Sequence, residues 1–139
     1  MTYQAKMTPA ADSGYDVTFP DLPGCFTCGE NLDDALRMAK EVLDLWLSYL
    51  DDENIDIPEA QRHRGKNIHL ISVDPKIAFS ITLKKERKRQ DLTQQALAEK
   101  AGMALAQYAK LENRKKANPT LTTIAKLNVA LGGGIIFGL

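Results

Sequence analysis

Residues 94–127 of the chain are QQALAEKAGMALAQYAKLENRKKANPTLTTIAKL, and this stretch decides the fold of the second half. Counted from Gln94, the pattern is typical of two short helices that cross at a steep angle through a few buried side chains. Gly102 stands at the turn, where a positive φ is easily reached. The positions expected to be buried are all small or apolar: Leu97, Ala98, Ala101, Met103, Tyr108 and Leu111. The stretch therefore predicts a helix-turn-helix unit, and a helical protein-binding module is the alternative.

Further helices are expected on both sides of this unit. Apolar periodicity and stop signals predict helices over 79–89, 93–100, 104–112 and 120–131. The segment 132–139 is apolar with flexible glycines and is expected to form a short terminal strand. Because Asp74 and Pro75 break the preceding pattern, we expect two domains, residues 1–76 and 77–139.

Charge divides the chain at the same place. The chain has 18 Lys and Arg and 18 Asp and Glu. Residues 1–76 hold 7 basic against 14 acidic side chains, a net charge of −7, and residues 77–139 hold 11 against 4, a net charge of +7. A basic domain suits a polyanionic partner, whereas an acidic domain repels nucleic acid.

The first domain is expected to be a sheet with one long helix. Apolar residues alternate in residues 3–7 and 15–19 around a turn at 12–14, which predicts a hairpin. The proline and glycine residues of 20–24 interrupt it before a third strand at 25–28. Asn31 is a suitable N-cap for a helix whose apolar residues recur at helical spacing from Leu32 to Leu50. A polar connection at 54–67, expected to be mobile, then leads to a further strand at 68–73. The fold class is α+β.

The second helix of a helix-turn-helix unit enters the major groove of DNA with its N-terminal half. We expect Gln107 to pair with adenine and Lys110 with guanine, while the neighbouring alanines and Leu105 touch thymine methyl groups or fill space. The basic loop 113–116 suits phosphates, with a solvated loop as the alternative. The expected DNA contacts are Gln94, Gln95, Ala104, Leu105, Ala106, Gln107, Lys110, Asn113, Arg114, Lys115 and Lys116.

Both halves resemble known families. Residues 92–131 resemble the Cro/repressor class of helix-turn-helix domains, although that class usually has serine or another polar residue where Ala104 and Leu105 stand. GYDVTFPDLPGCFTCGENLDDALRMAKEVLDLWL, residues 14–47, resembles the HicB antitoxin family, and the match extends over about residues 3–58. That resemblance implies a truncated RNase H-like α/β domain followed by a DNA-binding domain.

The resemblance to HicB also implies a function. Such antitoxins bind and inhibit a small ribonuclease toxin, HicA, which cleaves mRNA, and they repress their own operon by binding operator DNA. An acidic domain complements a basic RNA-binding toxin. Because the turn that defines the family motif is expected to be exposed, the expected toxin contacts are Tyr15, Phe19, Asp21, Leu22, Phe26 and Glu30.

Other site chemistries find little support in the sequence. The acidic residues near the sheet do not form an obvious two-metal cluster, and Cys25 and Cys28 have no second pair with which to bind zinc, so no enzyme activity, metal or cofactor is expected. In an extended strand these two cysteines point to opposite faces, and one is expected to be buried. The cysteine usage, the lack of an apolar span and the N-terminus MTYQAKMTPA favour a cytoplasmic protein without a membrane association.

The oligomeric state and one alternative function stay open. Because helix-turn-helix proteins commonly bind two half-sites, we expect a homodimer formed through Ile135, Ile136 and Phe137, or a tetramer if the first domains also associate. A stand-alone transcription regulator with a ligand-sensing first domain is the alternative to an antitoxin. A metal-dependent nuclease is the third class considered.

Overall fold

The computed structural model describes residues 1–134, and it divides into two compact units. The first unit is Met1–Asp74 and the second begins at Pro75. The sequence pattern predicts this boundary two residues later. The first unit contains four strands and one helix, and the described part of the second contains four helices. This is the α+β arrangement that the sequence predicted.

The first unit is built on a four-stranded antiparallel sheet. Its strands are β1 (Thr2–Pro9), β2 (Tyr15–Thr18), β3 (Phe26–Gly29) and β4 (Ile68–Ser72), in the spatial order β3-β2-β1-β4. Met7 lies opposite Val17, and Tyr3 lies opposite Ile71. All four of these side chains are buried, because alternate residues of each strand face the same side of the sheet. The predicted three-stranded meander with a further strand is confirmed.

One long helix, α1 (Leu32–Asp52), covers this buried face. Asn31 caps it as expected, since its side-chain oxygen accepts a hydrogen bond from the backbone N–H of Asp34 at 2.9 Å. The fully buried positions are Ala35, Ala39, Leu43, Leu47 and Leu50. They recur every three or four residues, so one side of the helix packs into the core of this unit.

The turn between β2 and β3 is held against α1. Gly24 has a φ of +91°, and a Cβ at this position would lie 2.9 Å from the ring of Trp46. Only glycine fits such a close approach without a shift of the indole. Cys25 is 2% exposed, whereas Cys28 is exposed, so the expected burial of one cysteine is confirmed.

The connection 54–67 contains no helix or strand, but it is fastened to the rest of the unit. The hydroxyl of Tyr3 donates to the carbonyl of Pro58 at 2.6 Å, and the backbone N–H of Met7 donates to the carbonyl of Asn67 at 2.9 Å. Side chains of Gln4 and Asp21 make further contacts to residues 61 and 63. These bonds fasten the connection in the described structure, and the mobility that its polar composition suggested stays a prediction. The connection ends at β4, which pairs antiparallel with β1.

The described helices of the second unit are α2 (Pro75–Arg89), α3 (Gln94–Lys100), α4 (Leu105–Leu111) and α5 (Leu121–Ala130). The expected start of α2 at Phe79 was wrong by four residues, because proline is well tolerated in the first helical turn, where its missing N–H has no partner to lose. Thr93 and Thr120 cap α3 and α5 with their hydroxyls. The core contains Phe79, Leu83, Leu97, Ala98, Ala101, Tyr108, Leu111, Ala117, Leu127 and Leu131.

The described end of the chain differs from the expected terminal strand. Gly132, Gly133 and Gly134 all have positive φ, which is not a strand conformation, and they close α5. The rest of that expected strand lies outside the described residues.

Candidate functional site

The helix-turn-helix unit has the buried contacts that the sequence predicted. Leu97 and Ala98 of α3 and Tyr108 and Leu111 of α4 belong to one core, and Met103 packs against it from the turn. Gly102 has a φ of +69°, as expected for the turn position. α3 and α4 are therefore fixed against each other, and the outer side of α4 is left exposed.

A buried carboxylate joins three helices of this unit. Glu112, the C-cap of α4, is only 6% exposed and accepts hydrogen bonds from three side chains. Arg87 of α2 donates at 2.5 and 3.2 Å, Gln94 of α3 at 2.6 Å, and the hydroxyl of Tyr108 at 2.8 Å. Arg87 also donates to the carbonyl of Leu92 at 2.8 Å. Because every partner is satisfied, this network fixes α2, α3 and α4 in one arrangement.

The ionisation of these groups follows from their contacts. Burial favours a neutral Glu112, but hydrogen bonds from Arg87, Gln94 and Tyr108 outweigh it, so the pKa of this carboxyl is lowered. The hydrogen bond to Glu112 raises the pKa of Arg87. Burial, and then the negative charge of Glu112, raises the pKa of Tyr108. At neutral pH the network is thus an ion pair with a neutral phenol beside it.

This network changes the interpretation of Gln94. The sequence pattern assigns its side chain to a phosphate or base edge, but in the structure its amide donates to Glu112 and the residue is half-buried. Gln95, its neighbour, is exposed and contacts Glu99 at 3.4 Å. No local pattern indicates the network, since its members are up to 25 residues apart. Gln94 is better described as a residue that positions α3 against α4.

The exposed side of α4 contains the other expected groove residues. Ala104, Ala106, Gln107 and Lys110 are exposed, and Leu105 is 44% exposed. Ala104 is the N-cap but makes no side-chain capping bond, because a methyl group cannot accept a hydrogen bond. The first part of this surface is therefore apolar, and its polar groups begin at Gln107.

The loop after α4 presents cations beside that surface. Asn113, Lys115 and Lys116 are exposed, and Arg114 is half-buried. Asn113 shapes the loop: its side-chain oxygen accepts from the N–H of Lys115 at 3.0 Å, and its carbonyl accepts from the N–H of Lys116 at 2.9 Å. Its own side chain is thus used within the loop, and the two lysines are left to reach an anion.

The expected partner-binding residues of the first unit are not all at the surface. Phe26 is 68% exposed, Glu30 is exposed, and Tyr15 is half-buried. Phe19 and Leu22 are 3% and 1% exposed, so the expectation that the whole turn is exposed was wrong for these two. Phe19 continues the inward alternation of β2, and Leu22 fills the core beneath the turn. Their side chains support the surface and do not form part of it.

Asp21 connects this turn to the long connection. One carboxylate oxygen accepts from the N–H of Gln61 at 2.9 Å, and the other lies 2.7 Å from Nε2 of His63. The N–H of His63 donates to the side chain of Gln4 at 2.5 Å. Both carboxylate oxygens of Asp21 have partners in the connection, so this side chain holds the connection 54–67 against the turn.

The expected dimerisation residues, Ile135, Ile136 and Phe137, lie outside the described residues. Within the described residues, α5 carries two large exposed apolar side chains that the sequence pattern did not single out, Leu121 at 85% and Val129 at 76% exposure. Their spacing of eight residues places them on the same side of the helix. α5 is buried through Leu127, and within residues 1–134 this other side is left uncovered.

Metal-binding clusters and membrane spans are absent from residues 1–134. No group of three or more His, Cys, Asp and Glu side chains in this range is placed to hold a metal ion. No helix of this part is long and apolar enough to cross a bilayer. Cys25 is held as a neutral thiol, because burial raises its pKa to about 12.

Comparison with known proteins gives matches for both units. The family model described as "HicB_like antitoxin of bacterial toxin-antitoxin system" matches residues 3–80, and a helix-turn-helix model matches residues 83–136. Antitoxin HicB of Escherichia coli (strain K12) is 30% identical over 113 residues, which cover 81% of this chain and 81% of that protein. Antitoxin HicB 1 of Photorhabdus laumondii is 25% identical over 132 residues, covering 95% and 83%.

Two solved structures each resemble about half of this chain. The N-terminal domain of the Burkholderia pseudomallei antitoxin HicB has a TM-score of 0.47 and 26% identity, and the match covers 53% of this chain and 99% of that one. A chain of a HicA3 and HicB3 toxin-antitoxin complex has a TM-score of 0.46 and 21% identity, covering 54% and 100%.

Proposed function

The chain belongs to the family of HicB-like antitoxins of bacterial toxin-antitoxin systems, and from this premise we propose that it neutralises a HicA-type, mRNA-cleaving toxin and represses its own operon. The observation that carries the proposal is the pairing of two units of opposite charge. The acidic unit matches the antitoxin family model, and the basic unit is a helix-turn-helix. Each unit would have one partner, a toxin or operator DNA.

The acidic unit is the proposed toxin-binding part. A toxin that binds RNA must carry a basic surface, and a domain with a net charge of −7 attracts such a surface over a distance of several ångströms. Among the residues expected to contact the toxin, Phe26, Glu30 and Tyr15 have the exposure that direct contact needs. Phe26 offers an apolar anchor, which is the kind of side chain that commonly carries binding energy at an interface.

The basic unit is the proposed operator-binding part. α4 would lie in the major groove, with Gln107 and Lys110 toward base edges and Lys115 and Lys116 on the phosphates. Since an operator commonly presents two half-sites, we propose a homodimer in which Ile135, Ile136 and Phe137 contribute the contact. A tetramer would follow if the acidic units also associate.

The toxin half is tested by co-expression with the small reading frame next to the gene. We expect that frame to stop growth when expressed alone, to be harmless with this chain, and to copurify with it. A Phe26→Ser, Glu30→Lys double variant should protect less well, while Lys6→Ser on β1 serves as the exposed control. If the neighbouring frame is neither toxic nor bound, the antitoxin proposal fails, and the stand-alone regulator with a ligand-sensing first unit becomes the better interpretation.

The DNA half is tested separately by a mobility shift on the DNA upstream of the gene. We expect a specific complex whose formation survives competition with unrelated DNA. We also expect strong weakening between about 50 and 200 mM salt, because phosphate contacts release counterions. Equal binding to upstream and unrelated DNA would contradict operator recognition, whatever the outcome for the toxin.

A further inference from the structure

The outer side of α4 is apolar at the end that a helix-turn-helix presents to DNA. Ala104, Leu105 and Ala106 form a run without any side-chain donor or acceptor, and all three are exposed, Leu105 by 44%. The helix is held to its unit by other residues, Tyr108 and Leu111, which are buried. The core of the unit therefore does not explain this apolar surface, and a ligand is the better explanation.

The surroundings of this run favour DNA as that ligand. Lys110, Lys115 and Lys116 are exposed beside it, and the second half of the chain has a net charge of +7. If the partner were an apolar protein, neutral residues would be expected around the run. A DNA duplex instead needs lysine or arginine side chains that contact the phosphates on either side of the groove. The side-chain amide of Gln94, on α3, is bonded to Glu112, so it adds little to base recognition.

In the major groove, the apolar group that distinguishes the bases is the C5-methyl group of thymine. We propose that Leu105, together with the methyl groups of Ala104 and Ala106, recognises thymine methyls, and that Gln107 pairs with an adenine beside them. The target half-site then has A·T pairs at the positions that these side chains contact and is distinguished by its thymine methyl groups. The inference rests on the proposed function, because it concerns the DNA that the basic unit binds.

The test removes the methyl groups from the DNA and does not require the operator sequence. The upstream DNA is amplified once with dTTP and once with dUTP, and the full chain is titrated against both products in a mobility shift at one salt concentration. Loss of one methyl contact should weaken binding about fourfold, since burial of one such group contributes about 0.8 kcal/mol. With one such contact in each of two half-sites, we expect the uracil DNA to bind about 16-fold more weakly.

Two leucine variants show whether Leu105 is responsible. Leu105→Ser should bind thymine DNA more weakly and should discriminate between the two DNAs much less. Leu45→Ser replaces a leucine that is 70% exposed and lies on α1 of the first unit, so it should keep the discrimination of the unchanged chain. Circular dichroism confirms that both variants remain helical.

The outcomes separate the inference from the proposed function. Equal affinity of the unchanged chain for thymine and uracil DNA would overturn methyl recognition while leaving DNA binding intact. Full discrimination by Leu105→Ser would show that the assigned residue is wrong. If neither DNA is bound, the proposed operator binding itself fails, and the inference fails with it.

Discussion

At the scale of single residues, Glu112 connects more helices of the second unit than any other side chain described above. Its carboxylate is almost fully buried and joins side chains from α2 and α3 to the end of α4. A buried ion pair adds little net stability compared with a well-packed apolar group, but the loss of one partner leaves the other charge without compensation. Arg87, with a side chain only 13% exposed, is the charge that would be left.

We expect Glu112→Gln to destabilise the second unit by about 3 kcal/mol, because it leaves the Arg87 guanidinium buried without a counter-charge. Urea unfolding followed by circular dichroism at 222 nm measures the loss of helix. Trp46 is the only tryptophan and lies in the first unit, so its fluorescence monitors that unit in the same sample. Glu99→Gln, at an exposed position of α3, is the matched control, and an equal loss in both variants would contradict the assigned role.

The same carboxylate predicts how stability depends on pH. The pKa of Glu112 is lowered in the folded chain, so its contribution is fully present above the unfolded value of about 4.3 and is lost as pH falls through the lower folded value. The difference in unfolding free energy between the unchanged chain and Glu112→Gln should therefore be constant from pH 7 to about 5 and shrink below that range. A difference that grows on acidification would contradict the ion-pair description.

At the scale of elements, local signals were sufficient for most boundaries. Asn31 was recognisable as a helix start because a cap bonds to the backbone only three residues away. Gly102 and the buried positions of α3 and α4 follow from helical spacing alone. What the sequence could not predict depends on distant partners. The side chain of Gln94 is bonded to Glu112, 18 residues away, and is therefore not free to contact DNA as the sequence pattern suggested. Leu22 looked like an exposed turn residue, because the core residues that bury it belong to other elements.

The loop after α4 gives a prediction about salt. A Lys115→Ala, Lys116→Ala double variant should bind all DNA sequences more weakly, because the two lysines are assigned to phosphates and not to bases. The slope of log affinity against log salt should fall by about two, one for each contact. Lys6→Ala, on β1 of the acidic unit, should leave the slope unchanged. If the double variant loses sequence preference and keeps its slope, these lysines contact bases instead.

The connection 54–67 gives a second prediction at this scale. Asp21→Asn should weaken the contact to His63 and should release the segment around residues 58–64 from the turn. Hydrogen-deuterium exchange should then become faster in that segment, while α1 and the central strands stay protected. Asp16→Asn, on the exposed side of β2, is the control. Unchanged exchange in the Asp21 variant would mean that other contacts, such as Tyr3 to Pro58, hold the connection alone.

At the scale of the whole molecule, two compact units with net charges near −7 and +7 share one chain. Under the proposed function, joining the two units would hold a toxin and operator DNA on one chain and so raise the concentration of each partner near the other. The net charge of the whole chain is zero, so the division becomes apparent only when charge is counted separately for the two units. The oligomeric state matters for the proposed function, because one chain has a single α4 and an operator with two half-sites would need two.

A chain that ends at Gly134 tests the proposed dimer. Without Ile135, Ile136 and Phe137, we expect light scattering after gel filtration to show a shift toward monomer, with helix content almost unchanged. Operator affinity should fall about 100-fold, since the second half-site is no longer bound as part of the same assembly. A Leu121→Ser, Val129→Ser variant tests α5 as the other candidate contact. If the shortened chain stays dimeric and this variant becomes monomeric, the exposed side of α5 forms the two-fold contact and the apolar end of the chain does not.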